Sequence, residues 1–375
     1  SSGDLVDNAA NVRQYGWLFN TAAENLRSTA LMTTAGNHEE KGFALDENFL
    51  LPDAPAQDRS SGVYYSFDYQ NAHFIVLNTN DLSEDGALSD GQLAWLKADT
   101  AASGAQWKIV SLHKAMYSNG SHYDDSDVKA LRKQLASLMP QLGIDLVLQG
   151  HDHVYLRTGV MSGNKVVISE TRQLAFDGRN YQAKIEPEGT VYAISACAGV
   201  KYYPPKSALM TRLQFPKAER TAAVELPVFS AVQIEGSTLY FDAYTVDNGK
   251  TARIDSFALQ KAAAPTAETE TPAGAEQGGS PAPQHNTQNT VVTQKASKSV
   301  PVSSDITLRS GVPQACGVSP AQQSQPAGET DTVFDEAIPL TGSNEANGAL
   351  YLLCFAGLAA LAALRAKRTK KEYNN

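Results

Sequence analysis

Residues 145–153 of the 375-residue chain read DLVLQGHDH, an apolar run that ends in glycine, two histidines and an aspartate. The apolar residues 146–148 predict a buried β-strand, and the polar residues follow directly at its carboxyl end. Ligands of open α/β sheets bind beyond the carboxyl ends of the strands. This stretch therefore predicts a strand of an α/β sheet that delivers polar side chains to a site.

Two similar strands lie upstream, at residues 72–78 and 107–112. Apolar residues recur every three or four positions within 89–102 and 127–142, which predicts a helix in each interval. Alternating strands and helices are typical of an α/β sheet covered by helices. Three further segments are strand-like and predict a second sheet: 190–195, 229–235 and 239–244.

Four polar motifs are each expected at a strand end. Gly3-Asp4 opens the chain, residues 36–39 (GNHE) follow a predicted strand at 31–34, His113 follows the strand at 107–112, and residues 150–153 (GHDH) complete the set. Aspartate, asparagine and histidine together suit iron, zinc or manganese. In an extended His-x-His segment both side chains point the same way, so that both can reach one cluster. Two neighbouring ions can activate water and stabilise the oxygens of an in-line displacement.

In this order, the motifs resemble those of the calcineurin-like metallophosphoesterase superfamily. Residues 64–69, 73–79 and 189–192 resemble its purple acid phosphatase branch, and the resemblance covers about residues 1–260. It implies a β-sheet sandwich flanked by helices, lacking its first motif, and two divalent or trivalent metal ions. The implied metal ligands are Asp4, Asn37, His113, His151 and His153.

The resemblance also implies how these residues act. Asp4 bridges both ions, and His153 serves the ion that Asn37, His113 and His151 do not hold. His38 protonates the leaving oxygen or stabilises the transition state, and a metal-bound hydroxide attacks phosphorus. His122, nine residues after His113, is expected to contact phosphate; the alternative is an exposed loop histidine.

Two departures from the phosphatase pattern leave the metal pair open. Asp7 stands where purple acid phosphatases have a tyrosine that binds ferric iron, and a supporting role for it in the loop is as well founded as metal binding. The remaining ligands of the second ion are expected upstream of Ser1. The chain is accordingly expected to be a fragment, inactive in this form if those ligands are essential.

Composition divides the chain at about residue 261. No aromatic residue occurs between Phe257 and Phe334, and residues 262–337 are rich in Ala, Pro, Thr and Gln, so a disordered stalk is predicted after a domain at 1–261. The net charge of −9 disfavours nucleic-acid binding. The three cysteines do not suggest a disulfide framework.

The last segment, 338–375, resembles a sortase sorting signal. An apolar run at 349–364, expected to be a hydrophobic helix, leads into a basic tail, and before it stand Ile338, Pro339, Leu340, Thr341 and Gly342. The resemblance implies cleavage after Thr341 and attachment to cell-wall peptidoglycan, with membrane contact only through the apolar run before processing. The alternative is a C-terminal membrane anchor.

The sequence thus predicts a secreted, wall-anchored hydrolase of small phosphomonoesters. Phosphodiesterase or nucleotidase activity is the alternative within the enzyme class. An inactive surface-displayed binding or adhesion protein is the alternative outside it.

Overall fold

The computed structural model of the chain describes residues 1–40, 44–52, 63–206, 218–222, 224–263 and 350–355. The helices are α1 (Val12–Leu26), α2 (Ala44–Asn48), α3 (Asp90–Ala102), α4 (Ser126–Leu135) and α5 (Leu138–Gln141). The strands are β1 (Tyr65–Tyr69), β2 (Ala72–Val76), β3 (Trp107–Lys114), β4 (Leu146–Gly150), β5 (Tyr155–Thr158), β6 (Met161–Ser162), β7 (Lys165–Val166), β8 (Glu170–Phe176), β9 (Arg179–Ile185), β10 (Val191–Ser195), β11 (Ala218–Ala222), β12 (Val228–Glu235), β13 (Thr238–Asp247), β14 (Lys250–Gln260) and β15 (Leu350–Phe355).

The first sheet has the order β1-β2-β3-β4-β10-β5-β11, and its central strands β2, β3, β4 and β10 run parallel. Every residue of β2, β4 and β10 is buried, as expected of parallel strands that are covered on both faces. Parallel pairing brings the carboxyl ends of β3 and β4 to one edge. That edge carries the polar loops.

Alternate residues of β3 and β4 pack on different layers. On one face they form a core with helices α3 and α4, through Val110, Val147, Leu96, Leu131 and Leu135. On the other face they form a core with the second sheet, through Ile109, Leu148, Val232, Phe241 and Phe257. The predicted α/β class with two packed sheets is confirmed.

The second sheet has the order β15-β12-β13-β14-β9-β8. The predicted strands at 229–235 and 239–244 are β12 and β13 of this sheet. The strand predicted at 190–195 is β10, and its assignment to the second sheet was wrong, because β10 pairs in parallel with β4. Its five residues are all buried, which suits a central strand of the first sheet.

Residues 31–34 are irregular, so the strand predicted there was wrong. The amino group of Ser1 donates to the carbonyl of Met32 at 2.8 Å, and Thr34 N donates to Ser1 O at 3.1 Å. These two hydrogen bonds attach the segment to Ser1, but they do not form the regular pairing of a β-sheet. The predicted helix at 127–142 is two helices, α4 and α5.

Of the apolar run at 349–364, the described residues form strand β15, which pairs with β12. The rest of the run lies outside the described residues, so the hydrophobic helix expected over 349–364 stays a prediction. No helix among the described residues is long and apolar enough to span a membrane. The predicted stalk and residues 338–342 lie outside the described part of the chain.

Candidate metal centre and active site

His113, at the end of β3, is the centre of a group of polar side chains. Its Nε2 atom lies 3.2 Å from Asp4 Oδ2, 3.0 Å from Asn37 Oδ1 and 3.2 Å from His151 Nδ1. The opposite nitrogen, Nδ1, donates to the carbonyl of Ser2 at 2.8 Å. A carbonyl only accepts, so Nδ1 carries a proton, and whenever Nε2 carries none its lone pair faces the group.

These spacings fit the donors of one metal ion. Two donors each 2.0–2.2 Å from a cation, at about a right angle, lie roughly 3 Å apart. Imidazole nitrogens with carboxylate and amide oxygens suit a transition metal. Among the described residues, Asp4, His113 and His151 stand out as a group able to hold an ion.

The backbone segments that carry these side chains approach one another closely. A Cβ atom on Gly36 would lie 2.2 Å from Asp4 Oδ1, so only glycine lets this loop reach the aspartate. Asp4 and His151 have φ angles of +53° and +69°. Non-glycine residues rarely adopt this region, and it is held here by the surrounding contacts.

Glu39, fully buried, ties two ligand loops together. Its carboxylate accepts from the backbone N–H of Asp4 at 2.8 Å, of Gly36 at 2.8 Å and of Val6 at 3.3 Å. Burial raises the pKa of the Glu39 carboxyl, and the Asp4 carboxylate raises it further. Sequence reasoning assigned Glu39 no role, although it completes the GNHE motif.

His38 lies beside Asp4 at the open side of the group. Its backbone N donates to Asp4 Oδ1 at 3.1 Å, and its ring Nε2 is 4.0 Å from Asp4 Oδ2. The ring Nδ1 is hydrogen-bonded to the carbonyl of Asp7. With 30% of its side chain exposed, His38 can meet a substrate.

Asp7 is not brought into the metal group. Its side chain is 85% exposed, and its Oδ1 atom lies 3.9 Å from His38 Nδ1. Its main-chain carbonyl is the part that holds His38. The structure therefore favours the supporting role for Asp7 over metal binding.

His122 packs against His151, with ring centroids 4.0 Å apart. Its Nδ1 lies 2.8 Å from Asp125 Oδ2. It is therefore at the site and not on a remote loop. Together, His122, Asp125 and His151 form a second group whose donor atoms lie within 4.8 Å of one another.

His153 does not join His151 in either group. The predicted common direction of the two rings assumed an extended segment, and the positive φ of His151 breaks that geometry. His153 Nδ1 instead bonds to the carbonyl of Lys201, and its ring stacks on Tyr203 at 4.6 Å. Burial lowers the pKa of His153; the charge of Asp4 raises it and that of His113 lowers it. Ligation of a second ion by His153 stays a prediction.

Two of the candidate ligands, Asp4 and His151, are in the protonation states that a metal requires. Burial alone would raise the pKa of Asp4, but His113 outweighs it through a hydrogen bond and its charge, and His38 assists, so that the pKa falls to about 2. Burial, with His113 and His122 nearby, lowers the pKa of His151 to about 3. Metal ligands must be deprotonated carboxylates and neutral imidazoles, as these are at neutral pH.

Comparison with known proteins finds relatives among the phosphoesterases. Residues 1–155 match the family described as calcineurin-like phosphoesterase. Purple acid phosphatase 21 of Arabidopsis thaliana is 32% identical over 170 residues, which are 41% of this chain and 37% of that protein. Purple acid phosphatase 18 of the same plant is 31% identical over 177 residues, 44% of this chain and 39% of that protein. The chain thus spans well under half the length of the curated relatives it matches.

A solved structure shows the same fold. The purple acid phosphatase from yellow lupin (Lupinus luteus) seeds superimposes with a TM-score of 0.56 at 18% identity, over 69% of this chain and 45% of that one. At that identity the likeness concerns the fold alone. Residues 1–155 are thus similar to calcineurin-like phosphoesterases, and the curated relatives of the chain include purple acid phosphatases. These likenesses support a phosphoester hydrolase.

Proposed function

We propose that the full-length protein is a metal-dependent phosphomonoesterase. The observation that carries this proposal is the convergence of Asp4, Asn37 and His151 donor atoms on His113 Nε2, with His38 alongside. A structural cluster has no need of a partly exposed histidine next to such a set of donor atoms. A hydrolase needs both.

Asp4, Asn37, His113 and His151 would hold one ion, and Asp4 with His153 would contribute to a second. When bound, these ions supply Lewis-acid polarisation of a phosphoryl oxygen and a water of lowered pKa. The chain's own contribution is to fix the ligands. Glu39 holds the Asp4 and Asn37 loops together, and the Ser2 carbonyl fixes the His113 tautomer.

His38 is the proposed proton donor to the leaving oxygen. Its Nδ1 proton is committed to the Asp7 carbonyl, so Nε2 carries a proton only in the imidazolium form. That form transfers the Nε2 proton to the departing alkoxide and becomes a neutral imidazole. Asp4 Oδ2 lies 4.0 Å from that Nε2 atom.

The test is turnover of 4-nitrophenyl phosphate and of bis(4-nitrophenyl) phosphate by full-length protein supplied with iron, zinc or manganese. Faster turnover of the monoester supports a phosphomonoesterase. Faster turnover of the diester would favour the phosphodiesterase alternative. Protein that binds no metal and turns over neither ester would leave the binding or adhesion function as the better proposal.

Location at the cell surface is a separate proposal, supported by the sequence alone. Residues 338–342 would be cleaved after Thr341 by a sortase, which joins the chain to cell-wall peptidoglycan. Incubating the protein with a sortase and a glycine peptide should break the bond between Thr341 and Gly342, release residues 342–375 and join the Thr341 carbonyl to the amino group of the peptide. Thr341→Ala should block it. Cleavage elsewhere, or none, contradicts the proposal and leaves the membrane anchor.

A further inference from the structure

Asp152, the third residue of the GHDH motif, bonds to the loop that carries His122. Its side chain is buried, and its carboxylate accepts from Ser118 Oγ at 2.5 Å, Ser121 N at 2.8 Å and His122 N at 3.2 Å. The loop after β3 closes so tightly that a Cβ on Gly120 would lie 2.3 Å from this carboxylate. Asp152 therefore fixes the backbone of His122 relative to the loop that carries His151.

Asp125 fixes the ring of the same histidine. It is the N-cap residue of α4, where an aspartate side chain commonly caps the helix, yet its carboxylate makes no capping bond. Instead, Oδ2 lies 2.8 Å from His122 Nδ1. The Asp125 carboxylate therefore does not stabilise the helix end by capping. It bonds to His122, whose side chain is one-third exposed.

His122 is thus held by its backbone, by one ring nitrogen and by its packing on His151. With Nδ1 committed to Asp125, Nε2 is the ring atom left for another molecule. A phosphoryl oxygen accepts hydrogen bonds, and Nε2 can donate one to it when it carries a proton.

We propose that Asp125 and Asp152 are positioning residues that hold His122 Nε2 against the phosphoryl group of a substrate bound beside His151. The proposal rests on the proposed phosphatase function and extends it to two carboxylates outside the metal ligands. A competing arrangement is a cation held by His122, Asp125 and His151, whose donor atoms are close enough for one. If Asp125 positions His122, its substitution should leave the bound metal unchanged. If Asp125 is a ligand of a cation, its substitution should lower the metal content.

The test uses Asp125→Asn in the metal-loaded full-length protein, with Asp124→Asn as the matched control. Asp124 is the adjacent carboxylate, exposed and 3.6 Å from Lys129, so its variant removes the same charge at a side chain that is paired with that lysine. Asp125→Asn should raise the KM for 4-nitrophenyl phosphate roughly 10- to 100-fold, while kcat changes less than about threefold. The control should leave both constants unchanged. Bound metal should be equal in both.

A double-mutant cycle separates positioning from general damage. His122→Ala should raise KM at least as much as Asp125→Asn does, and the double variant should be no worse than His122→Ala alone, because Asp125 acts through His122. The proposal would be overturned if the two substitutions raised KM additively. It would also be overturned if Asp125→Asn and Asp124→Asn changed KM equally. Lower metal content in Asp125→Asn would overturn it in favour of the cation.

Asp152 is tested by Asp152→Asn and, in case that variant unfolds, by Ser118→Ala, which removes one contact from the same carboxylate. Both should raise KM without loss of metal. Calorimetric binding of inorganic phosphate to the metal-loaded protein gives the same comparison without turnover. If the wild-type protein binds metal and phosphate but hydrolyses no ester, the proposed function fails; the positioning role then stands or falls on whether Asp125→Asn weakens phosphate binding.

Discussion

Asn37 Oδ1 lies 3.0 Å from His113 Nε2, across 76 residues of sequence. The amide oxygen can only accept, and in the neutral ring Nε2 is also an acceptor, because Nδ1 donates to Ser2 O. Asp4 Oδ2 adds a third acceptor at 3.2 Å. Lone pairs this close are stable only if a proton or a metal ion lies between them. A proton on Nε2, or a metal ion in its place, would satisfy all three atoms.

Asp4→Asn should release metal from the protein. The substitution removes the carboxylate charge at the centre of the group while keeping its shape. We expect metal content by elemental analysis to fall by at least half and turnover to fall more than about 100-fold. Asp7→Asn is the control, since Asp7 is largely exposed and outside the group. Equal metal content in Asp4→Asn and wild type would remove the basis of the site.

His38→Ala should lower kcat with metal content unchanged. Loss of a general acid costs on the order of 10²- to 10⁴-fold. The deficit should be larger for phenyl phosphate than for 4-nitrophenyl phosphate, because the poorer leaving group depends more on protonation. A deficit of the same size for both esters would argue against proton donation and for transition-state stabilisation.

Glu39→Gln should weaken metal binding without removing a ligand. The buried carboxylate accepts three backbone N–H groups, and an amide in its place sets an N–H against one of them. We expect a loss of about 1–3 kcal/mol in the free energy of unfolding and of roughly 10- to 100-fold in metal affinity. Glu40→Gln, an exposed neighbour, should do neither. Denaturant titration and metal titration measure the two effects.

Metal-free protein should lose stability as the pH falls from about 6.5. The folded-state pKa of His151 is lowered to about 3, so below 6.5 the unfolded chain binds a proton that the folded chain does not. Asp4, with its pKa lowered to about 2, adds a loss in the same direction below about 4. Urea denaturation between pH 7 and pH 4 should show a shallower decline in His151→Gln than in wild type. An identical decline would show that His151 is not the group responsible.

The apolar patterns anticipated much of the fold. Strands β2, β3 and β4 and helix α3 could be identified because each buries a regular set of side chains, and burial of such a set is a property of the local sequence. The place of β10 could not be identified. A fully apolar strand suits any central position, and which neighbour it pairs with depends on the path of the whole chain.

The sequence by itself determined the ligand types of the candidate site. Gly3-Asp4, GNHE, His113 and GHDH specify carboxylate, amide and imidazole donors at loops, and the structure brings Asp4, Asn37, His113 and His151 into contact. Only the tertiary structure decided the separate placement of His153 and the roles of the supporting carboxylates. His151 adopts a positive φ because surrounding loops hold it there, and Glu39, Asp125 and Asp152 acquire their roles from partners on other segments. The sequence specifies the type of each residue. The direction of its side chain depends on backbone angles and contacts that only the folded chain imposes.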